Sequence, residues 1–350
     1  MSELSTQTQL HRRLKTFSAW VAPENGSRKA IKTQADQIRE NITKKAVEDG
    51  LIIDAPAEGC KYAGSFPKHS GLRRYFRGDS YVDGQDVDIP FFVQSKDNKG
   101  NEVTELLQRF KKYADASYPD TDKDITKSSV NLHFTNPQIS YDLVPLLTTS
   151  DPDNQILIRS DGEKRNTSVK KHNEFVRSRN KKSSDTLGVV KFNECLRFVK
   201  WWRYFEQEKS GVFGNGDNDT KVPSFLLDML CAKAFDELGV QMTYAETLHQ
   251  WFGYIGHLIK SRQTIYFTDY HTTVPVTTGH IWYVADPVNP QNNIVKKTWG
   301  NYHLDELARW FEESHYEFSR VIRYDDEGDD VASLNALVKI FGNPFKNNCE

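Results

Sequence analysis

The chain has 350 residues, enough for one large domain or two of ordinary size. Its 46 basic residues nearly balance its 48 acidic ones, and the formal net charge of -2 excludes a strongly basic protein that coats DNA, although it leaves room for a local basic groove. Hydrophobic residues make up 37% of the chain and aromatic residues 12%, so the protein is globular rather than disordered.

The cysteines and the termini exclude several other classes. The four cysteines lie far apart with no CxxC pair, so they predict neither a zinc site nor a disulfide framework. No run of about 18 apolar residues occurs, so we expect no membrane span. The amino terminus lacks the apolar core of a signal peptide, and a reduced cytoplasm is the expected compartment.

Two helices are expected at the amino terminus. The apolar positions of the first recur at helical spacing: Leu10, Leu14, Phe17 and Val21. This helix should stop before Pro23. A second helix is expected from about Thr33, a plausible cap, to Asp49, with Gly50 closing it.

A glycine-rich and basic stretch follows, from Tyr62 to Gly84, and predicts a loop or several turns. The elements expected after it are a strand at Asp86–Val93, a helix at Val103–Tyr113, and strands at Ser129–Phe134 and Ile139–Leu143 joined by a turn at Asn136-Pro137.

The composition shifts near Asp151, and the chain is mostly helical from Lys191 onward. Two apolar stripes predict helices there: Phe192, Leu196, Val199 and Trp202; and Leu227, Leu230, Cys231, Ala234, Phe235 and Leu238. A strand, HIWYVAD, should end at Pro287, and two further helices are expected at about Leu304–Ile322 and Asp330–Phe341, with Gly342 stopping the last.

Three aspartates stand in apolar strands. Asp86 and Asp88 share one face, with Cα atoms roughly 7 Å apart. Two carboxylates on one face repel each other and cost free energy when desolvated, a conflict that a divalent cation resolves. If the strand of Asp142 is adjacent, the three could hold two ions about 3.5–4 Å apart. The alternative for Asp86 and Asp88 alone is a strand end with solvated aspartates.

Gly64 and Ser65 precede this strand, with Lys68, Arg73 and Arg74 nearby. Glycine lets backbone amides approach a phosphate, and a serine hydroxyl can donate a hydrogen bond to one. Together with the aspartates, the pair points to chemistry on nucleotide phosphates.

The motifs resemble a known family. GSF at 64–66, DVDI at 86–89 and ISYDLVP at 139–145 resemble the polymerase-beta-like nucleotidyltransferase superfamily. LRFVKWWR at 196–203, VPSFLLDML at 222–230 and ADPVNPQNN at 285–293 resemble its branch of bacterial cyclic-oligonucleotide synthases (CD-NTases), animal cyclic GMP-AMP synthase and oligoadenylate synthase.

The resemblance implies an α+β, bilobal, polymerase-beta-like fold. Residues 1–158 would form a catalytic lobe with a mixed β-sheet and the amino-terminal helices, and residues 159–350 a helical lobe. The implied activity joins nucleoside triphosphates into a cyclic oligonucleotide and releases pyrophosphate, using two Mg²⁺ or Mn²⁺ ions. The setting would be bacterial anti-phage (CBASS) signalling, with a separate effector that reads the product and room for an activating partner protein. The chain lacks a clustered Cys/His zinc element, so activation by DNA is unsupported.

The resemblance also implies roles for single residues. Asp86 and Asp88 would hold both metal ions, and Asp142 the one that activates the attacking ribose hydroxyl. Gly64 and Ser65 would cradle the donor triphosphate.

Three further roles fall in the carboxy-terminal half. Lys200 would reach the donor phosphates, Ser224 a phosphate or ribose, and Phe225 would stack on a base. The segment RRYFRGDSYVDG, between Ser65 and Asp86, would be an insertion relative to the family.

Other interpretations stay open at this point. Lys200 lies on the flank of an apolar arc, where lysines commonly snorkel from the core edge. Ser224 could merely support a helix start after Pro223. Phe225 could belong to a helix that is buried all round. The basic stretch Lys164–Lys182 could be a solvated face, or contact nucleotide or RNA.

Two other functions also fit. One is a linear oligonucleotide synthase or an RNA-tailing nucleotidyltransferase. The other is a nucleotide-binding sensor without catalysis, which the presence of all three acids disfavours.

Overall fold

The computed structural model describes residues 8–23, 25–77, 80–82, 86–135, 138–186, 189–214 and 220–349. The contacts divide the chain into two compact units. The helical unit consists of the chain up to Ala22, Tyr75–Val82, and the chain from Val176 onward. The sheet unit consists of Pro23–Arg74 and Asp83–Phe175.

The described elements are as follows. The helices are α1 Gln9–Val21, α2 Asn25–Glu48, α3 Ser65–Lys68, α4 Leu106–Ser117, α5 Val169–Thr186, α6 Phe192–Lys209, α7 Ser224–Leu238, α8 Tyr244–Lys260, α9 Asn301–Asp326, α10 Asp330–Phe341 and α11 Asn343–Cys349. The strands are β1 Ile53–Asp54, β2 Tyr75–Arg77, β3 Ser80–Val82, β4 Val87–Val93, β5 Asp122–Ile125, β6 Val130–Thr135, β7 Gln138–Thr148, β8 Gln155–Ile158 and β9 Lys164–Thr167.

The sheet unit is built on a mixed sheet. Its described strands run in the order β1-β4-β7-β6-β5, with β8 paired to β7 and β9 to β8. The β4–β7 pair is parallel and the other pairs are antiparallel. Residues such as Ile38 and Ile42 of α2 and Phe110 of α4 share one core with Ile89 and Phe91 of β4. This core holds the central strands rigidly in place.

An aromatic core explains why α1 belongs to the helical unit. The ring of Phe17 lies 5.8 Å from that of Trp201 and 6.0 Å from that of Phe198, both on α6. It also lies 5.4 Å from the ring of Phe341 and 4.8 Å from that of Phe345. Because aromatic burial dominates such a core, the contacts group α1 with the carboxy-terminal helices. The predicted division at 158/159, with both amino-terminal helices in the catalytic lobe, differs from this grouping.

The other side of the predicted boundary also differs. The β8–β9 hairpin extends the sheet through its pairing with β7, so the sheet unit runs beyond residue 158, to Phe175.

Several sequence predictions need correction. The second helix begins at Asn25 rather than about Thr33, whose hydroxyl donates to the Lys29 carbonyl inside the helix and is therefore not a cap. The stretch Tyr62–Gly84 is not only loop, because it contains α3 and the β2–β3 hairpin. The turn at Asn136-Pro137 lies outside the described residues.

The predicted strand HIWYVAD is wrong. Only single bridges occur, Ile265 to Val284 and Ala285 to Asn293. The Asn293 side chain explains this, because its Nδ2 donates to the Trp282 carbonyl at 2.9 Å and its Oδ1 accepts from the Val284 amide at 3.1 Å. A side chain here satisfies backbone groups that a neighbouring strand would otherwise satisfy.

Other predictions hold. The first helix is confirmed as α1, and the two helices predicted before Gly342 as α9 and α10. Gly342 follows α10 at a φ of +79°, and the helix α11 beyond it was not predicted. The four cysteines are free and buried. Every helix in the described part of the chain is too short or too polar to span a membrane.

The basic residues of the stretch Lys164–Lys182 lie at the surface, with one exception. Arg179 of α5 is buried, and its guanidinium pairs with Asp236 at 2.5 Å and with Asp269 at 3.0 Å. This arginine cross-links the helical unit, so it does not belong to a solvated face.

Candidate active site

Two aspartates meet in the centre of the sheet. In the parallel β4–β7 pair, Asp88 lies opposite Asp142. The adjacency of the two acidic strands, which the sequence left as a condition, is therefore present. On the side of β6, the Ser129 hydroxyl and the Asn131 side-chain amide donate to Asp142 Oδ1 at 2.7 and 3.0 Å. These two donors fix the orientation of the Asp142 carboxylate.

Charge and burial act strongly on Asp88. Burial of its carboxylate and, second, the neighbouring Asp142 charge raise the pKa of Asp88 to about 7. The Lys68 ammonium partly opposes this and lowers the same pKa. Asp88 therefore lies where an additional cation would be strongly favourable.

Asp86 directly precedes β4 and is exposed. Among the described residues, no three His, Cys, Asp or Glu side chains already form a set that could hold a metal ion. The structure thus brings together Asp88 and Asp142 of the predicted cluster, and it does not gather Asp86 with them.

The donor set nevertheless fits a divalent cation. Asp88 and Asp142 offer hard carboxylate oxygens side by side, and the repulsion that raises the Asp88 pKa is what a bound cation would offset. Magnesium is commonly held by one or two carboxylates, with water and substrate phosphates as its other ligands. The residues present therefore suit Mg²⁺ or Mn²⁺.

Gly64 lies directly against the Asp88 side chain. Its φ is +67°, and a Cβ built on it would overlap Asp88 Oδ2 and stand 2.9 Å from Asp88 Cγ. The preceding residue is tied to the same strand, since the Ala63 amide donates to the Asp88 carbonyl at 3.0 Å. Glycine is required here both by the backbone conformation and by the carboxylate beside it.

Ser65 begins α3, and two basic residues support this short helix and the carboxylates. Lys68 is buried and its charge acts on Asp88. Arg28 of α2 donates to the Phe66 carbonyl at 2.9 Å, and its guanidinium lies 4.3 Å from the centre of the Phe66 ring. Arg28 thereby anchors the segment that follows Gly64 to the core.

The remaining predicted site residues lie in the helical unit. Lys200 is buried and its Nζ lies 2.6 Å from Asp228 Oδ1, so the snorkelling alternative is wrong. Ser224 is exposed at the first position of α7. Phe225 is half-buried, whereas Leu226 is fully buried. Helix α7 is thus buried on more than one face, and Phe225 keeps part of its ring accessible.

Comparison with known proteins shows what the chain is similar to. Residues 9–180 match the model of the Second Messenger Oligonucleotide or Dinucleotide Synthetase domain. Over these residues the chain is similar to that family. The cyclic AMP-AMP-AMP synthase of Escherichia coli (strain MS 115-1) is 24% identical over 276 residues, which cover 76% of this chain and 78% of that protein.

Solved structures agree on the fold. CdnC of E. coli MS115-1 with ATP matches with a TM-score of 0.74 and 19% identity over 96% of this chain and 98% of that one. A CdnC:HORMA-deltaN complex matches with a TM-score of 0.71 and 19% identity, over 97% and 98% of the two chains. The expected α+β, polymerase-beta-like fold and the resemblance to bacterial cyclic-oligonucleotide synthases are confirmed. The expected enzyme class, nucleotidyltransferase, is confirmed with them.

Sequence reasoning missed two residues of the candidate site. In the sequence Lys68 is only one of several basic residues near Gly64, although its position four residues after that glycine places it one helical turn away. Arg28 carries no local signal, because it acts across 38 residues of sequence on the Phe66 carbonyl.

Proposed function

We propose that this protein condenses nucleoside triphosphates into a cyclic oligonucleotide second messenger, releasing pyrophosphate in a reaction that needs Mg²⁺ or Mn²⁺. The observation that carries the proposal is the Asp88–Asp142 pair on parallel strands, with Gly64 packed against it, inside a second-messenger synthetase domain. Such a pair supplies ligands for metal-assisted phosphoryl chemistry rather than for a structural role.

Asp86, Asp88 and Asp142 are the proposed ligands of two ions. When bound, the ions would neutralise charge on the triphosphate and lower the pKa of the attacking ribose hydroxyl. Asp88 is already beside Asp142, while exposed Asp86 would join them once nucleotide and metal arrive.

The protein's own groups orient the reaction. Ser129 and Asn131 both donate to Asp142 Oδ1. Their contacts leave Oδ2 to face the acceptor ribose, where Asp142 would take the hydroxyl proton. Gly64 allows backbone amides close to the donor triphosphate, and Ser65 would donate to a phosphate oxygen.

Three residues of the helical unit would contact nucleotide as well. Ser224 would donate to a phosphate or ribose from the start of α7. The half-buried ring of Phe225 would stack on a base, a contact worth ~1–3 kcal/mol. Lys200 would exchange its ion pair with Asp228 for a phosphate oxygen.

The relatives indicate the product and the partners. One is named a cyclic AMP-AMP-AMP synthase, and CdnC forms a complex with HORMA-deltaN. We therefore propose a cyclic di- or trinucleotide as the product, a HORMA-type protein as activator, and a separate effector that reads the product. Bacterial anti-phage signalling in the cytoplasm is the corresponding setting.

Mass spectrometry of the reaction products tests the proposal. The protein is incubated with all four triphosphates and Mg²⁺ or Mn²⁺, with and without a HORMA-type partner, and the products are treated with phosphatase. A phosphatase-resistant oligonucleotide that the Asp88→Asn plus Asp142→Asn variant fails to make is expected. Linear products alone would favour the linear or RNA-tailing alternative. The absence of pyrophosphate under every condition would leave only the sensor alternative.

A further inference from the structure

Arg203 is a buried cation beside the start of α7. Only 1% of its surface is exposed. Its Nη1 donates to the Val222 carbonyl at 2.8 Å and to the Ser224 hydroxyl at 3.2 Å, and the guanidinium lies 4.2 Å from the centre of the Tyr204 ring. Among the described residues no carboxylate pairs with Arg203, and its Nε has no hydrogen-bond partner. A buried charge of this kind is costly unless an anion arrives nearby.

A second side chain of α6 completes the contact with this segment. Gln207 lies one helical turn after Arg203, on the same face. Its Oε1 accepts from the Val222 amide at 2.8 Å. Helix α6 therefore holds both the amide and the carbonyl of Val222, and this fixes the position at which α7 begins.

The direction of the hydrogen bond to Ser224 has a chemical consequence. A serine hydroxyl has one proton to donate and two lone pairs that accept. Arginine can only donate, so the Arg203 contact occupies a lone pair of Ser224 Oγ. The hydroxyl proton stays available for an outside acceptor on the exposed side of the residue. An anionic oxygen is the best acceptor, since the guanidinium charge and the amino-terminal end of α7 both favour negative charge there.

We propose that Arg203 is a positioning residue that orients the Ser224 hydroxyl to donate to a nucleotide phosphate, and that its charge is offset by that phosphate. This role rests on the proposed function, because it assumes that Ser224 binds the triphosphate. Lys200, the residue of α6 proposed to contact phosphate, lies one helical turn before Arg203. One helix thereby sets both proposed phosphate contacts of the helical unit.

A double-mutant cycle tests the role. The dissociation constant of a non-hydrolysable ATP analogue with Mg²⁺ is measured for the full chain and for Arg203→Met, Ser224→Ala and the double variant. We expect Arg203→Met to weaken binding about tenfold, the size of one lost charge-assisted hydrogen bond. In the Ser224→Ala background the same change should weaken binding less than about threefold, because the hydroxyl that Arg203 orients is already gone.

Two further variants separate positioning from folding. Arg203→Lys keeps the charge and a donor group but loses the planar guanidinium, so binding should recover in part. Arg197→Met removes another buried arginine of α6, which contacts the Ser18 carbonyl, and should leave binding unchanged. Thermal unfolding of each variant identifies any that fold poorly. If Arg203→Met is among them, the cycle is run with Arg203→Lys.

The possible results separate the positioning role of Arg203 from the proposed function. Equal effects of Arg203→Met in both backgrounds, or no effect in either, overturn the positioning role. If the wild-type protein turns over triphosphates and only the cycle fails, the proposed function stands and this inference falls. If wild-type protein neither binds the analogue nor makes product with its activator, the proposed function fails first.

Discussion

Replacing Asp88 by asparagine should stabilise the metal-free protein while abolishing its activity. The folded-state pKa of Asp88 is raised from 3.8 to about 7 by burial and the Asp142 charge. A raised carboxyl pKa means that the charged form destabilises the fold. This penalty is absent below the unfolded-state value, grows as the pH rises from about 4 to about 7, and is fully present above it.

The size of the effect follows from the pKa values. The difference between 3.8 and about 7 corresponds to at most roughly 4 kcal/mol of unfolding free energy. The attraction of Lys68 is already contained in this pKa, but the buried asparagine amide keeps part of the desolvation cost, so we expect a net gain nearer ~2 kcal/mol at alkaline pH. In a unit of this size that raises the melting temperature by roughly 4–8 °C.

Denaturant and thermal unfolding in a chelator, at about pH 8 and about pH 5, measure this. Asp120→Asn is the matched control, because the same charge is removed from an exposed carboxylate outside the site, and its effect should stay within ~0.5 kcal/mol. Added Mg²⁺ should stabilise the wild type by up to ~2.7 kcal/mol at a hundredfold excess over its dissociation constant, and the Asp88→Asn protein much less. A variant that is less stable than the wild type at about pH 8, or whose gain is equal at both pH values, would refute the reasoning.

Three other changes have defined outcomes. Gly64→Ala should abolish product formation, because the new Cβ overlaps the neighbouring β4 carboxylate. The control Gly100→Ala, with a similar φ of +84° and open space around it, should cost only ~1 kcal/mol of stability. Comparable activity in both variants would contradict this. Ser129→Ala removes one of the two donors to the β7 carboxylate and should slow product formation roughly tenfold with little change in nucleotide affinity, so an effect confined to affinity would count against it. Asp228→Asn leaves the Lys200 ammonium buried without its carboxylate and should cost ~3–5 kcal/mol in urea unfolding, and a neutral result would mean that this pair adds nothing to the fold.

The predicted insertion between Ser65 and Asp86 shows how far sequence reasoning reached. Its glycines indicated turns, and the described part instead contains the β2–β3 hairpin, which groups with the helical unit. The Tyr75 ring lies 5.7 Å from that of Trp201 and 5.8 Å from that of Trp20. These contacts join residues more than fifty positions apart, and no local pattern in the segment carries them.

The sequence by itself determined several of the helices and the residue types of the proposed site. Helical periodicity located α1, α6 and α10, and the aspartates at the two apolar strands pointed to metal-assisted work on phosphates. These features depend on residues within a few positions of each other, so their spacing is visible in one chain.

Only the tertiary structure decided how the site is assembled. The parallel register places Asp88 opposite Asp142, and Gly64 packs against that carboxylate. Arg203 reaches Ser224 from another helix. Each of these three contacts depends on strand pairing or packing between distant segments. The free energy that stabilises such packing comes from burying side chains that are far apart in the sequence. The three aspartates could therefore be named from the sequence, but which two already meet could not.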